Sequence, residues 1–137
     1  MRGASAVVLG MALFGLSSDW PASQVHEPGV ACPAVALLVP TSEADAGALR
    51  SALSTIVPLQ YPDPSEYQDY GITSVRMAAV SAAYGRVAAH FCGEEVARST
   101  WIVELYFPHL EPSASMSQGQ LFVAKTKDGW TSWFRYH

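Results

Sequence analysis

Few side chains in this chain have both the type and the spacing to do acid–base work. His90 and Glu104 are the leading pair, with Tyr106 and Arg135 able to steady a developing charge. General acid–base catalysis needs two such groups within hydrogen-bond reach of one reacting atom. Placed on neighbouring strands, His90 and Glu104 would meet that condition and define a small secreted enzyme or a ligand-pocket protein. A lone histidine in a strand is more commonly structural, so this reading ranks second. Cys92 with His90 or His109 would suggest a cysteine nucleophile, but activation calls for a helix start or a tight elbow that lowers the thiol pKa. Cys92 is expected to end a strand, and one partner cysteine, Cys32, is present. The chain contains no asparagine, which removes both N-glycosylation and one familiar orienting residue of cysteine-protease triads.

Metal chemistry is not expected. His26, His90, His109 and His137 show neither an H-x3-H nor a C-x2-C spacing. Asp63, Ser65 and Asp69 alternate as calcium-loop ligands do, yet Pro62 and Pro64 intervene and no closing glutamate follows. No phosphate-cradling glycine loop occurs, so no cofactor is expected either. The net charge is −4, with lysine only at 125 and 127 and no basic run, which excludes a protein that tracks phosphates along nucleic acid.

The compartment follows from the amino terminus. Arg2 precedes an apolar stretch from Ala4 to Leu16, broken by Ser17, Ser18, Asp19 and Pro21. That is the three-part pattern of an export signal. Its thirteen residues would span about 20 Å as a helix, short of a hydrocarbon core of about 30 Å, so no stable membrane span is expected. Residues 1–18 are assigned to a signal peptide, 19–29 to a flexible linker and 30–137 to one domain, in a secreted or periplasmic protein. Val30 and Ala31 before Cys32 suggest a lipid anchor. Gly29 stands where a large aliphatic residue would be wanted, however, and the apolar stretch lies too far upstream. In an oxidising compartment Cys32 and Cys92 are expected to pair. Closing a loop of about sixty residues would stabilise the fold by roughly 4 kcal/mol in the chain-entropy treatment.

The elements that must position these groups are read from periodicity. Ser42 with Asp45 three residues on forms a capping-box pattern, and Ala46, Leu49, Leu53 and Ile56 recur at helical spacing until Pro58. Residues 59–71 form a turn-rich connector carrying Tyr61, Tyr67 and Tyr70 among acids. Strands are expected near 72–80, 84–92, 99–107, 119–126 and 130–136. The alternation of Val87, Ala89 and Phe91 supports the second of these, and Trp101, Val103, Leu105 and Phe107 share one face of the third. Asp128-Gly129 is a preferred two-residue hairpin turn. Counted outward from it, Lys125 faces Ser132, Val123 faces Phe134 and Phe122 faces Arg135. The segment from Pro108 to Gln118 is long for a strand–strand connection.

The expected architecture is α+β: one amphipathic helix across a five-stranded antiparallel sheet. In layout alone this resembles cystatin-like and nuclear-transport-factor-like small domains, with no family motif to carry residue roles. The face away from the helix would present Ile102, Glu104, Tyr106, Phe122, Trp133 and Arg135, with Arg86 and His90 beside them. Exposed aromatics among charges are typical of binding surfaces. The expected function is therefore an exported, non-catalytic binding domain of the inhibitor or immunity type, recognising a protein or an envelope ligand through Tyr106, Phe122, Trp133 and Arg135. A third reading makes the Phe122/Trp133 face a homo-oligomer contact.

Overall fold

The computed structural model describes residues 29–137, so the signal-peptide expectation and all of the linker but Gly29 lie outside the described residues. The domain is α+β, built on a four-stranded antiparallel sheet in the order β1-β2-β3-β4. The strands are β1 (Gly71–Met77), β2 (Thr100–Tyr106), β3 (Gln118–Thr126) and β4 (Gly129–Tyr136). The helices are α1 (Ala46–Gln60), α2 (Pro64–Tyr67), α3 (Ala82–Cys92), α4 (Glu94–Arg98) and α5 (Ala114–Ser117). Among the described residues no helix is long and apolar enough to cross a membrane.

Helix α1 begins as its sequence indicates. The Ser42 N–H donates to Asp45 Oδ2 at 2.8 Å across the short turn that leads into the helix. Pro58 does not stop the helix but sits within its last turn, and the Tyr61 N–H closes that turn on the Val57 carbonyl. Leu49, Leu53, Ile56 and Val57 are buried against Trp101, Val103, Leu105, Leu121 and Val123 on one face of the sheet. Full burial of aliphatic side chains of this size contributes about 1.5–3 kcal/mol each.

The second of the five expected strands is a helix, and this changes the architecture. Residues 84–92 fall in α3, whose first turn is capped by the Ser81 hydroxyl accepting from the Tyr84 N–H at 3.4 Å. Val87, Ala89 and Phe91 alternate, but Tyr84, Val87, Ala88 and Phe91 also recur at three- and four-residue spacing. The alanine-rich composition favours the helix. Gly93, at φ 90°, ends it in a conformation that side-chain-bearing residues rarely adopt, and α4 then starts in a new direction. Together α3 and α4 cover the second sheet face, burying Ile102, Phe122, Ala124 and Trp133 beneath Ala88, Val96 and Ala97. The sheet is thus covered on both sides, and the layout of one helix on five strands does not hold.

Hairpin pairing is also shifted from the count. Lys125 faces Trp130, Ala124 faces Thr131 and Val123 faces Ser132, after which a bulge intervenes and Phe122 faces Phe134. The turn residues are Lys127 and Asp128, with Gly129 already in β4. The extra residue at the bulge lets both Trp133 and Phe134 pack against Phe122 and sends Arg135 to the opposite face.

The segment from Val30 to Val39, ahead of α1, runs as a strap along the sheet. Its Ala31 N–H donates to the Trp133 carbonyl at the outer edge of β4. Farther on, Leu38 bridges Thr126, two residues past Ala124 where the pairing of β3 with β2 begins, flanked by bonds from the Val39 N–H to Lys125 and from the Lys127 N–H to Leu37. The strap is joined covalently to the end of α3 by the Cys32–Cys92 disulfide, whose Cα atoms are 5.5 Å apart.

Candidate functional site

The two sheet faces are closed to different extents. On the α1 side the connector folds over the far end of the sheet, and Tyr61, Tyr67 and Phe107 form a cluster of rings with centroids 4.7–4.9 Å apart. Asp63 caps α2 by accepting from the Ser65 hydroxyl and N–H, which hold its carboxyl below the ordinary range. Arg135 stacks over Tyr61 at 4.5 Å and donates to the Gln60 carbonyl at 2.6 Å. Arg135 therefore belongs to this closed face. Burial pushes the Tyr61 hydroxyl well above the usual phenol range, with the Arg135 charge opposing the shift. Its proton is donated to the His137 carbonyl at 3.0 Å.

On the α3 side the helices stop short, leaving the end of the sheet around Glu104 open. Glu104 Oε1 meets Arg76 Nη2 at 3.2 Å, and the Tyr84 hydroxyl donates to Oε2 at 3.5 Å. Arg76 also lies over the Tyr84 ring, 5.8 Å from its centre. Burial first, then the Glu104 charge, raises the Tyr84 pKa, so this hydroxyl stays protonated and keeps its role as donor. Around the carboxylate a cleft of about 210 Å³ is lined by Thr73, Tyr106, Gln118 and Gln120. Beside it a second, apolar cleft of about 320 Å³ runs between α3 and β4, lined by Tyr84, Val87, Phe91, Phe122 and Tyr136. The clefts adjoin through the Tyr84–Glu104 contact and through the cross-strand pair Gln120 and Tyr136.

Among the described residues, two of the three buried side-chain polar atoms without a hydrogen-bond partner flank Glu104. They are Arg76 Nε on β1 and Gln120 Oε1 on β3; the third, Ser132 Oγ, lies elsewhere. Buried polar groups are normally satisfied, so a pair of exceptions on either side of one carboxylate singles out this region as the candidate site. The two fully buried indoles are satisfied. The Trp101 indole donates to Thr41, and the Trp133 indole donates to Thr100, whose own hydroxyl donates to Val96.

The residues named from sequence are dispersed. Trp133 and Phe122 are 1% and 0% exposed, so neither forms a surface face, and an oligomer contact through them is excluded by the helices that cover them. Tyr106 is exposed and lines the polar cleft. His90 is not brought to Glu104. It lies in the last turn of α3, whereas Tyr84, the contact of Glu104, is six residues earlier, about 9 Å along the axis. His90 instead faces an open depression of about 730 Å³ with Arg86, Glu94 and Arg98. Cys92 ends a helix rather than a strand and is consumed in the disulfide. His109 Nε2 meets Asp69 Oδ2 at 3.0 Å on the surface. Among the described residues no group of three or more His, Cys, Asp or Glu converges as metal ligands would.

Sequence reasoning did not find Arg76, Tyr84, Gln120 or Tyr136. The available signal was the Ser81 cap followed by Tyr84, Val87, Ala88 and Phe91, which places Tyr84 on the sheet-facing side of a helix. Compared with protein-family models, characterised proteins and solved structures, the chain has no match in any of the three.

Proposed function

We propose that this protein is an exported, non-catalytic binding domain that takes an envelope ligand in the paired clefts on the α3 side of the sheet. The observation that carries this reading is the juxtaposition at Glu104 of a polar cleft with the unpartnered Gln120 oxygen in its wall and an apolar cleft edged by half-exposed Tyr136. Ligand sites are concave and mostly apolar, with a few polar groups to fix orientation, and this pair has that composition. The separation of His90 from Glu104 supports binding over acid–base chemistry. Export is supported by the disulfide, which persists in oxidising compartments.

Native mass spectrometry of the oxidised protein, recovered from the envelope fraction or medium of its own host, tests the reading. A bound species on the wild type that is lost from Tyr136→Ala and retained by His90→Ala is the expected result. A bare wild-type mass, or a bound species insensitive to Tyr136→Ala, would remove it.

A further inference from the structure

The chemistry of the polar cleft narrows the class of ligand. We propose that the cleft around Glu104 and Gln120 binds a neutral, hydroxyl-rich head, as in a saccharide or polyol, with an apolar tail lying between α3 and β4. This rests on the binding reading above and specifies its ligand.

The case begins with charge. Arg76 and Glu104 already neutralise one another at 3.2 Å. An anionic head entering beside them would face the Glu104 carboxylate and the Gln120 amide oxygen. A cationic head would find the Glu104 carboxylate already paired with the Arg76 guanidinium. Either would be taken from water into a site with no net charge to receive it, which is costly. The unsatisfied atoms point the same way. Gln120 is 8% exposed, lines the cleft and presents an oxygen that lacks a donor, while Arg76 Nε lacks an acceptor. A hydroxyl both donates and accepts, so it can give Gln120 the donor it lacks while accepting from the amide hydrogens of Gln118 in the same lining. Gln118 and Thr73 extend the same mixed lining, and the exposed Tyr106 ring offers a flat surface for the C–H face of a sugar. The neighbouring cleft has no charged residue in its lining, which fits an alkyl or acyl tail continuing from the head.

Titration calorimetry of the oxidised protein with octyl glycosides below their micelle threshold tests this, using gluco, galacto and manno heads against octanoate and octylammonium. At least one glycoside is expected to bind tenfold or more tightly than either charged amphiphile, and the matching methyl glycoside to compete weakly. Gln120→Leu is expected to weaken that glycoside tenfold or more, with an unchanged melting temperature. Gln120→Met serves the same purpose should the leucine variant fail to fold. Equal binding of all the amphiphiles, failure of all three glycosides or indifference to both Gln120 variants would overturn the assignment. A host-derived adduct lost from Tyr136→Ala while all glycosides fail would sink this ligand class alone. Absence of both would sink the binding reading with it.

Discussion

The two faces of the sheet are built from similar materials and end differently. On the α1 face a fifteen-residue helix is followed by a connector whose Tyr61 and Tyr67 close over Phe107, so the aromatic layer continues to the rim. On the α3 face an eleven-residue helix and the short α4 cover the half around Ile102, Phe122 and Trp133 and leave the end at Glu104 and Tyr106 without a full roof. The lesson is that coverage, rather than residue type, separates core from site. Tyrosines line both: at the connector they border one apolar cleft of about 170 Å³, and on the α3 face two adjoining clefts of about 210 and 320 Å³, one of them polar.

Substitutions can break or sharpen that contrast. The largest effect is expected on the closed face, where Phe107→Ala should cost about 3–5 kcal/mol in denaturant unfolding, as for other buried phenylalanines. Tyr136→Ala on the open face should cost under about 1 kcal/mol. Comparable losses at both positions would erase the distinction. Replacing both cysteines, Cys32→Ala with Cys92→Ala, should cost about 2–4 kcal/mol and loosen the α3 side first. Hydrogen exchange showing faster opening of α1 than of α3 would contradict this. Gly119→Ala should cost about 1–3 kcal/mol, because the added methyl would press on the Tyr61 hydroxyl and lie 2.9 Å from Phe107 Cε2. A neutral outcome would mean that the ring cluster is looser than described.

Alkaline titration gives the smallest and most specific effect. The Tyr61 hydroxyl is an acid whose pKa is raised in the folded state. Above about pH 10 the unfolded chain loses this proton first, so stability present below that pH should fall as pH rises, by up to about 1.4 kcal/mol per unit. Tyr61→Phe should flatten the fall, and an unchanged slope would show that other groups govern it.

How much of this was legible from sequence depended on whether one local pattern admitted one reading. Helix α1 was plain, because its cap and its stripe of Leu49, Leu53 and Ile56 agree. Four strands and the disulfide were also legible. Residues 84–92 satisfied period two through Val87, Ala89 and Phe91, and helical period through Tyr84, Val87, Ala88 and Phe91. Ser81 and Gly93, the boundary residues, were the discriminating signal. That one choice carried the site with it, since reading α3 as a strand placed His90 beside Glu104 and left Phe122 and Trp133 bare. Pairing in the last hairpin failed for a different reason. A bulge depends on how Trp133 and Phe134 both fit against Phe122, which is decided by tertiary packing and not by the turn. Arg76 and Gln120 were invisible because their importance lies in partners they lack.

The bulge in β4 has one more consequence. Past it, consecutive residues serve opposite layers: Arg135 lies on the Tyr61 ring and the His137 carbonyl receives its proton, while Tyr136 between them walls the apolar cleft. Three residues at the end of a strand thus act as a shared hem. Trimming them would fray the sealed layer and widen the open one in a single stroke.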